Sequence, residues 1–263
     1  MTTCRKLKKL FLHTMLKNPD PAELQGLKER LSGDGIQVIT GDLASVKEEG
    51  CLVVTDILTE DIKPGEVPVL VWLHEGNRDR EFPGCHYYIE GFQDADGMYF
   101  ERTYLRCKKL PWVIGETKRL FVREMELADL DGIYDLYSEP ELLPFLEPLQ
   151  ENREEEAAYL RRYIENMYGI FGYGYWLMVL KETGEIIGRI GVSNTDEEDV
   201  LELGFLVKPA FWRQGFAEEA IEGIKTYLQE ELPDFKVVAF CHPDNRPAIA
   251  LCKKTSIECR FKI

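Results

Sequence analysis

Short apolar runs separated by polar stretches bearing glycine and proline set the rhythm of the first 110 residues. The runs KLFLHTM, IQVIT, CLVVTDI and VPVLVWL have the length and the β-branched content of strands. Between the first two lies DPAELQGLKERLSGDG, which opens on Asp20 before Pro21 and closes on glycine, the signals of a capped helix. Strands alternating with helices predict a small parallel α/β lobe. The stretch DADGMYFERTYLRCKK predicts another helix, stopped at Leu110 and Pro111 because a residue ahead of proline disfavours helical backbone. LPWVIGETKRL reads as the connector. The organisation expected is a lobe over residues 1–112, a linker over 113–117 and a second domain over 118–263.

The pattern changes after the connector. RLFVREM is strand-like, and ELADLDGIYDLYS places Leu130, Ile133, Leu136 and Tyr137 at helical spacing. NREEEAAYLRRYIENMYG predicts a second helix, capped by Asn152 with Glu155 as its capping-box partner and ended by Gly169. YWLMVLKETGEIIGRIGVS predicts two strands around the turn KETGE, and DVLELGFLV a third. A helix over 217–230, the strand KVVAF and a last helix from about Asn245 complete the order. The class expected is α/β, with a mixed, mostly antiparallel sheet in the second domain.

Composition narrows the picture. At 263 residues with 44% hydrophobic and 30% charged positions, the chain has the make-up of a soluble globular protein. Its longest apolar run, VPVLVWL, is too short to cross a bilayer, and the basic N-terminus lacks a small-x-small cleavage site, so a cytoplasmic protein without a membrane partner is expected. The net charge of −15 is uneven: 19 acidic and 15 basic residues through Thr117, then 28 and 17 beyond it. A field of that sign repels phosphate backbones, so nucleic acid is not an expected partner. Seven cysteines without a C-x-x-C pair read as buried free thiols, and four scattered histidines without an i, i+4 pair offer no metal site.

Chemistry concentrates at KPAFWRQGFAEEAIEGI, where a strand hands over to a helix. Gly215 permits a sharp turn, and Ala217, Ala220 and Gly223 keep the start of the helix narrow. The amides of Arg213, Gln214, Gly215, Phe216 and Ala217 lie at the positive end of that helix, which outlines an anion site; an ordinary strand-to-helix loop with a glycine hinge is the alternative.

With ELGF (202–205), WRQGFA (212–217) and HPDNRPA (242–248) in order, residues 118–257 resemble the GNAT superfamily of acyl-CoA-dependent N-acyltransferases, most closely its ribosomal-protein alanine acetyltransferase branch. The resemblance implies acetyl-CoA as co-substrate, its pyrophosphate held by the loop amides, with Phe205, Val207 and Asn245 also at the cofactor, and a small-molecule or peptide amine as acceptor. Trp212 would prop the loop open. Glu202 would take the proton of the acceptor ammonium, the other reading being an exposed or ion-paired strand carboxylate. A backbone amide near Phe205 to Val207 would hold the oxyanion. In the last helix, NRPAIALCKKTSI, Cys252 stands where a tyrosine acid can sit; it is either the acid that protonates the leaving thiolate, facing the cofactor with Asn245, or a small buried hydrophobe. Little chain remains for a closing strand pair. Tyr173, Tyr175, Trp176 and the acidic Glu139, Glu141 and Glu147 are candidates for the acceptor side. A non-catalytic acyl-CoA-binding or sensing protein is the alternative function.

The first lobe loosely resembles the degenerate haloacid-dehalogenase-like, or Rossmann-like, region ahead of some bacterial acyltransferases. VVTD ends in Asp56, but Leu58 replaces the second aspartate of the D-x-D pattern, so no phosphatase chemistry is expected and Asp56 reads as a strand-end or turn residue.

Overall fold

A computed structural model of the chain describes residues 6–41, 48–145 and 148–261. It divides into two compact units, Met1–Leu110 and Pro111–Ile263.

In the first unit, β1 (Lys9–His13), β2 (Gln37–Thr40), β3 (Cys51–Thr55), β4 (Val69–Trp72) and β5 (Tyr88–Ile89) form one parallel sheet in the order β2-β1-β3-β4-β5. Every residue of β3 and β4 is buried, as their unbroken apolar runs require of strands covered on both faces. Helix α1 (Pro21–Gly33) starts as read, with Asp20 accepting from Ala22 N and Glu23 N at 2.9 and 3.0 Å. Helix α2 (Gly97–Cys107) is capped by Asp96. Asp56 is fully buried, and its carboxylate accepts from the amides of Met15, Leu16 and Lys17 at 2.8 to 2.9 Å. It ties the loop after β1 to the end of β3, which is a structural task.

The second unit is a seven-stranded sheet ordered β12-β11-β10-β9-β8-β7-β6. Its first strand, β6 (Val113–Glu116), occupies the stretch read from sequence as a linker and pairs antiparallel with β7 (Leu120–Arg123). The antiparallel run continues through β8 (Tyr175–Leu180), β9 (Ile186–Asn194) and β10 (Val200–Val207), after which β11 (Lys236–Cys241) and β12 (Glu258–Phe261) pair in parallel. Among the described residues one closing strand, not a pair, follows the last helix.

Two helical layers cover this sheet. Helix α5 (Phe216–Glu231) buries Ala220, Ile221 and Ile224 against Leu203, Val207, Trp176 and Ile190. The approach is close because a Cβ at Gly115 would lie 2.2 Å from the Gly223 carbonyl oxygen, so neither strand nor helix could carry a side chain there. Helices α3 (Leu130–Tyr137) and α4 (Arg153–Tyr163) pack Leu130, Ile133, Leu136 and Leu160 with Leu177, Val179 and Ile186. Asn152 caps α4 through Glu154 N, but the carboxylate that reaches back is Glu156, which accepts from Gln150 N. Nor does Gly169 end the helix: a π-helical segment, Ile164–Phe171, continues it to Gly172, whose φ of 79° stops it. Helix α6 (Arg246–Lys254) lies between β11 and β12 in sequence. No helix among the described residues is long and apolar enough to cross a membrane.

Candidate active site

Strands β10 and β11 are in register only from Val200↔Lys236 to Glu202↔Val238. Beyond Glu202, β10 keeps β9 as its neighbour while β11 keeps β12, and the two inner edges part. A cleft of about 1190 Å³ opens along this gap, walled by Glu202 to Val207 on one side and by Ala239 to His242 on the other. Strand alternation separates the residues of β10: Leu201, Leu203 and Val207 join the core under α5, whereas Leu206 packs with the α3 and α4 cluster, so Glu202 and Gly204 share its face. Among the described residues no hydrogen bond or ion pair engages the Glu202 carboxylate, which is half-buried in the cleft wall.

The loop from β10 to α5 closes one end of the cleft. Lys208 is buried and anchors the loop on Asp135 and Glu185; burial alone would lower its pKa, but the two carboxylates outweigh it and hold the ammonium above its ordinary value. The half-exposed Trp212 donates from Nε1 to Val207 O at 2.6 Å, so its ring braces the loop. Arg213 and Gly215 then both take left-handed backbone, with φ of 57° and 80°. Gly215 is the first flanking residue of α5, and no side chain caps that helix. The contrast with the other helices is direct. Helices α1, α2, α4 and α6 start on Asp20, Asp96, Asn152 and Asn245, whose side chains accept from their first turns, and α3 continues a 3-10 turn at Leu127–Asp129.

Both acidic residues in the first turn of α5 are matched by cations. Glu219 accepts from Thr117 Oγ1 at 2.6 Å and from Arg119 N and Nε at 2.7 and 2.6 Å. Burial opposes its ionisation, but these bonds prevail and hold the carboxyl below the usual range. Arg119 also stacks on the Phe216 ring at 3.9 Å and donates to Gln214 O. Glu218 pairs with Lys254 at 2.7 Å. With the carboxylates neutralised, the positive end of α5 faces the cleft without a competing anion of its own.

The opposite end is built on Tyr175 and Arg189. Tyr163 OH accepts from Tyr175 N at 2.6 Å, and Tyr168 OH donates to Tyr175 O, so the α4 and π-helical segment fixes this residue on both sides. Burial pushes the Tyr163 hydroxyl up to about 12, which keeps it protonated. The Arg189 guanidinium lies 4.5 Å from the Tyr175 ring centre and bonds Tyr137 OH, while its Nε is buried without a partner.

Of the residues expected from sequence, Glu202, Phe205, Val207, Arg213, Gly215, Phe216, Ala217 and Asn245 all line the cleft. Gln214 does not; its side chain donates to Ala210 O at 2.8 Å. Asn245 directs its Oδ1 to Ala248 N, capping α6. Cys252 does not line the cleft. Ala248 and Leu251 line it, and one further residue rotates the helix by about 100°, which turns Cys252 into the sheet. There it is fully buried, with its Sγ within 4.8 Å of those of Cys241 and Cys259, and burial raises its thiol above the ordinary value. Tyr175 lines the cleft, whereas Tyr173 and Trp176 belong to the core, and the half-buried Glu139 and the exposed Glu141 lie outside the cleft lining. Glu147 lies outside the described residues. Arg189, Arg119 and Lys208 were missed. The signal for Arg189 was available: a lone charge inside the apolar run IIGRIGV.

Comparison with known proteins agrees with this architecture. The acetyltransferase (GNAT) domain family matches residues 119–257. Among individual proteins, the chain is similar to the uncharacterized N-acetyltransferase p20 of Bacillus licheniformis, 28% identical over 54% of this chain and 80% of that protein. The uncharacterized N-acetyltransferase YnaD of Bacillus subtilis (strain 168) is 25% identical over 52% and 78% respectively. A solved acetyltransferase from Agrobacterium tumefaciens str. C58 is 26% identical over 53% of this chain and 80% of that one, with a TM-score of 0.44.

Proposed function

The chain belongs to the acetyltransferase (GNAT) domain family, and from that premise we propose that it transfers an acetyl group from acetyl-CoA to a primary amine by direct attack in a ternary complex. The observation that supports this most is the uncapped start of α5 at the end of an opened strand seam. Backbone amides at a helix N-terminus suit the pyrophosphate of coenzyme A. The amide-bearing pantetheine arm suits the inner edges of β10 and β11 beyond Glu202, where no ladder joins the two strands among the described residues.

With the thioester in the seam, the carbonyl lies beside β10, where an amide near Phe205 to Val207 holds the developing oxyanion. Glu202, nearby on the same strand and without a partner among the described residues, removes the ammonium proton directly or through a water, because only the neutral amine has a lone pair. The nitrogen–carbon bond forms, the nitrogen releases its second proton to solvent, the carbon–sulfur bond breaks, and coenzyme A departs as a thiolate that takes a proton from solvent. Cys252 is buried away from this path and is assigned no part in it.

The test is a panel of amines, including peptides with free N-terminal alanine because of the branch resemblance, with thiol release as the readout. Amine-dependent release is expected for at least one class. Tight acetyl-CoA binding by calorimetry with no amine-dependent release from any class would favour the binding or sensing protein instead.

A further inference from the structure

The three thiols behind the cleft converge as a set. Cys241 ends β11, Cys259 lies on β12, and the register Ala239↔Cys259 and Cys241↔Phe261 puts both side chains on one face of the sheet, offset by one pleat. Helix α6 crosses that face and adds Cys252. All three Sγ atoms lie within 4.8 Å of one another. Three sulfurs around an ion at a metal–sulfur distance of about 2.3 Å stand about 4.0 Å apart, so the set needs only a small contraction to close.

We propose that Cys241, Cys252 and Cys259 form a three-coordinate site for a thiophilic d¹⁰ ion, cuprous copper. The donor set decides the ion. Soft thiolates select monovalent copper, zinc and iron–sulfur clusters. Structural zinc takes four protein ligands, and among the described residues no histidine, aspartate or glutamate joins these three. The surroundings are those of a dry, soft site: Ala239, Ala248, Ile249 and Ile257 pack around the sulfurs. Binding replaces thiol protons, which pass to solvent, and the ion keeps its oxidation state throughout. Cys241 also belongs to the cleft wall, so the site and the cleft share a side chain.

The experiment uses the full, reduced chain under anaerobic conditions, titrated with Cu(I) against a colorimetric Cu(I) chelator. The expected result is one tightly held equivalent with sulfur-to-copper charge-transfer absorption in the ultraviolet. Cys259→Ser, at a half-buried strand position, and Cys252→Ala should each weaken retention at least tenfold, while Cys85→Ser, in the other unit, should not; circular dichroism checks that each variant is folded. Wild-type retention by both Cys259→Ser and Cys252→Ala overturns the site. So does loss of the equivalent in Cys85→Ser alone, or one equivalent of Zn(II) bound where Cu(I) is not retained.

Discussion

Two joints in this molecule begin alike and end differently. In each, a strand of a sheet feeds a loop and then a helix with its N-terminus at the carboxyl edge of the sheet. After β1, three loop amides are held by Asp56 and two amides of α1 by Asp20, so the positive groups are satisfied from within. After β10, Gly215 supplies a left-handed turn and no side-chain acceptor, while the nearby acidic residues Glu218 and Glu219 are paired with Lys254 and Arg119. The two carboxylates differ in the same way: both oxygens of Asp56 are engaged, and Glu202 has no partner among the described residues. Whether such a joint can receive an anion thus depends on where its carboxylates point more than on its secondary structure.

The largest effect expected on this comparison is at Glu202. Glu202→Gln should lower kcat by about a hundredfold to ten-thousandfold, the range for removing a general base, with little change in acetyl-CoA affinity. Steady-state kinetics on one good amine checks it, and unchanged turnover would remove Glu202 from the chemistry. The mirror experiment is Asp56→Asn, which sets an amide donor at a buried position against the backbone amides of Met15, Leu16 and Lys17. It should cost about 1–3 kcal/mol of stability in a denaturant titration and leave thiol release per folded molecule unchanged.

A sharper version converts one joint towards the other. Gly215→Asp tolerates left-handed backbone better than a branched residue would and places a carboxylate at the start of α5, as Asp20 is placed at α1. Acetyl-CoA affinity by calorimetry should fall about tenfold or more, a loss of about 1.4 kcal/mol. Retained affinity would show that the α5 amides do not receive the anion.

The smallest effect is in pH dependence. Glu219 has its folded-state pKa held below the reference value of 4.5, so its contribution to stability is present above that value and is lost as the pH falls through the lower, folded one. Glu219→Gln should therefore flatten the stability profile below about pH 4.5, the reference value, and leave its slope near neutrality unchanged, measured by denaturation midpoints.

What could be read in advance follows the same division between local and distant partners. The strands β3 and β4, the caps at Asp20 and Asn152, the helix start near Asn245 and the Gly215 joint are written in contiguous residues, and each was legible. β6 was not: its identity as a strand depends on β7 and on contact with Gly223, more than a hundred residues later, and four residues containing a glycine show no periodicity. The continuation past Gly169 escaped for a related reason. Tyr227 donates to Gly172 O and Tyr163 and Tyr168 fix Tyr175, so tertiary bonds place the end of that helix. Within the site, the cleft residues from Glu202 to Ala217 were legible because they sit on one strand, loop and helix start. Arg119 and Lys208 act through Glu219, Asp135 and Glu185, which no local pattern connects to them. Cys252 shows the limit of a spacing argument: two turns from Asn245 returns roughly to one face, yet the side that faces the cleft is set by how α6 lies on β11 and β12.

The parted edges of β10 and β11 have a consequence for the lifetime of the protein. An interior seam whose ladder stops at Glu202 resembles, beyond that point, the free strand edge that is prone to associate with another chain. A ligand whose amides fill that seam acts as a temporary strand, and a ligand bound only by the folded chain adds about 2.7 kcal/mol of stability at a hundredfold excess over its dissociation constant. If acetyl-CoA occupies the seam as proposed, its depletion removes a structural member as well as a reactant, and turnover of the chain by proteolysis or aggregation would rise with it.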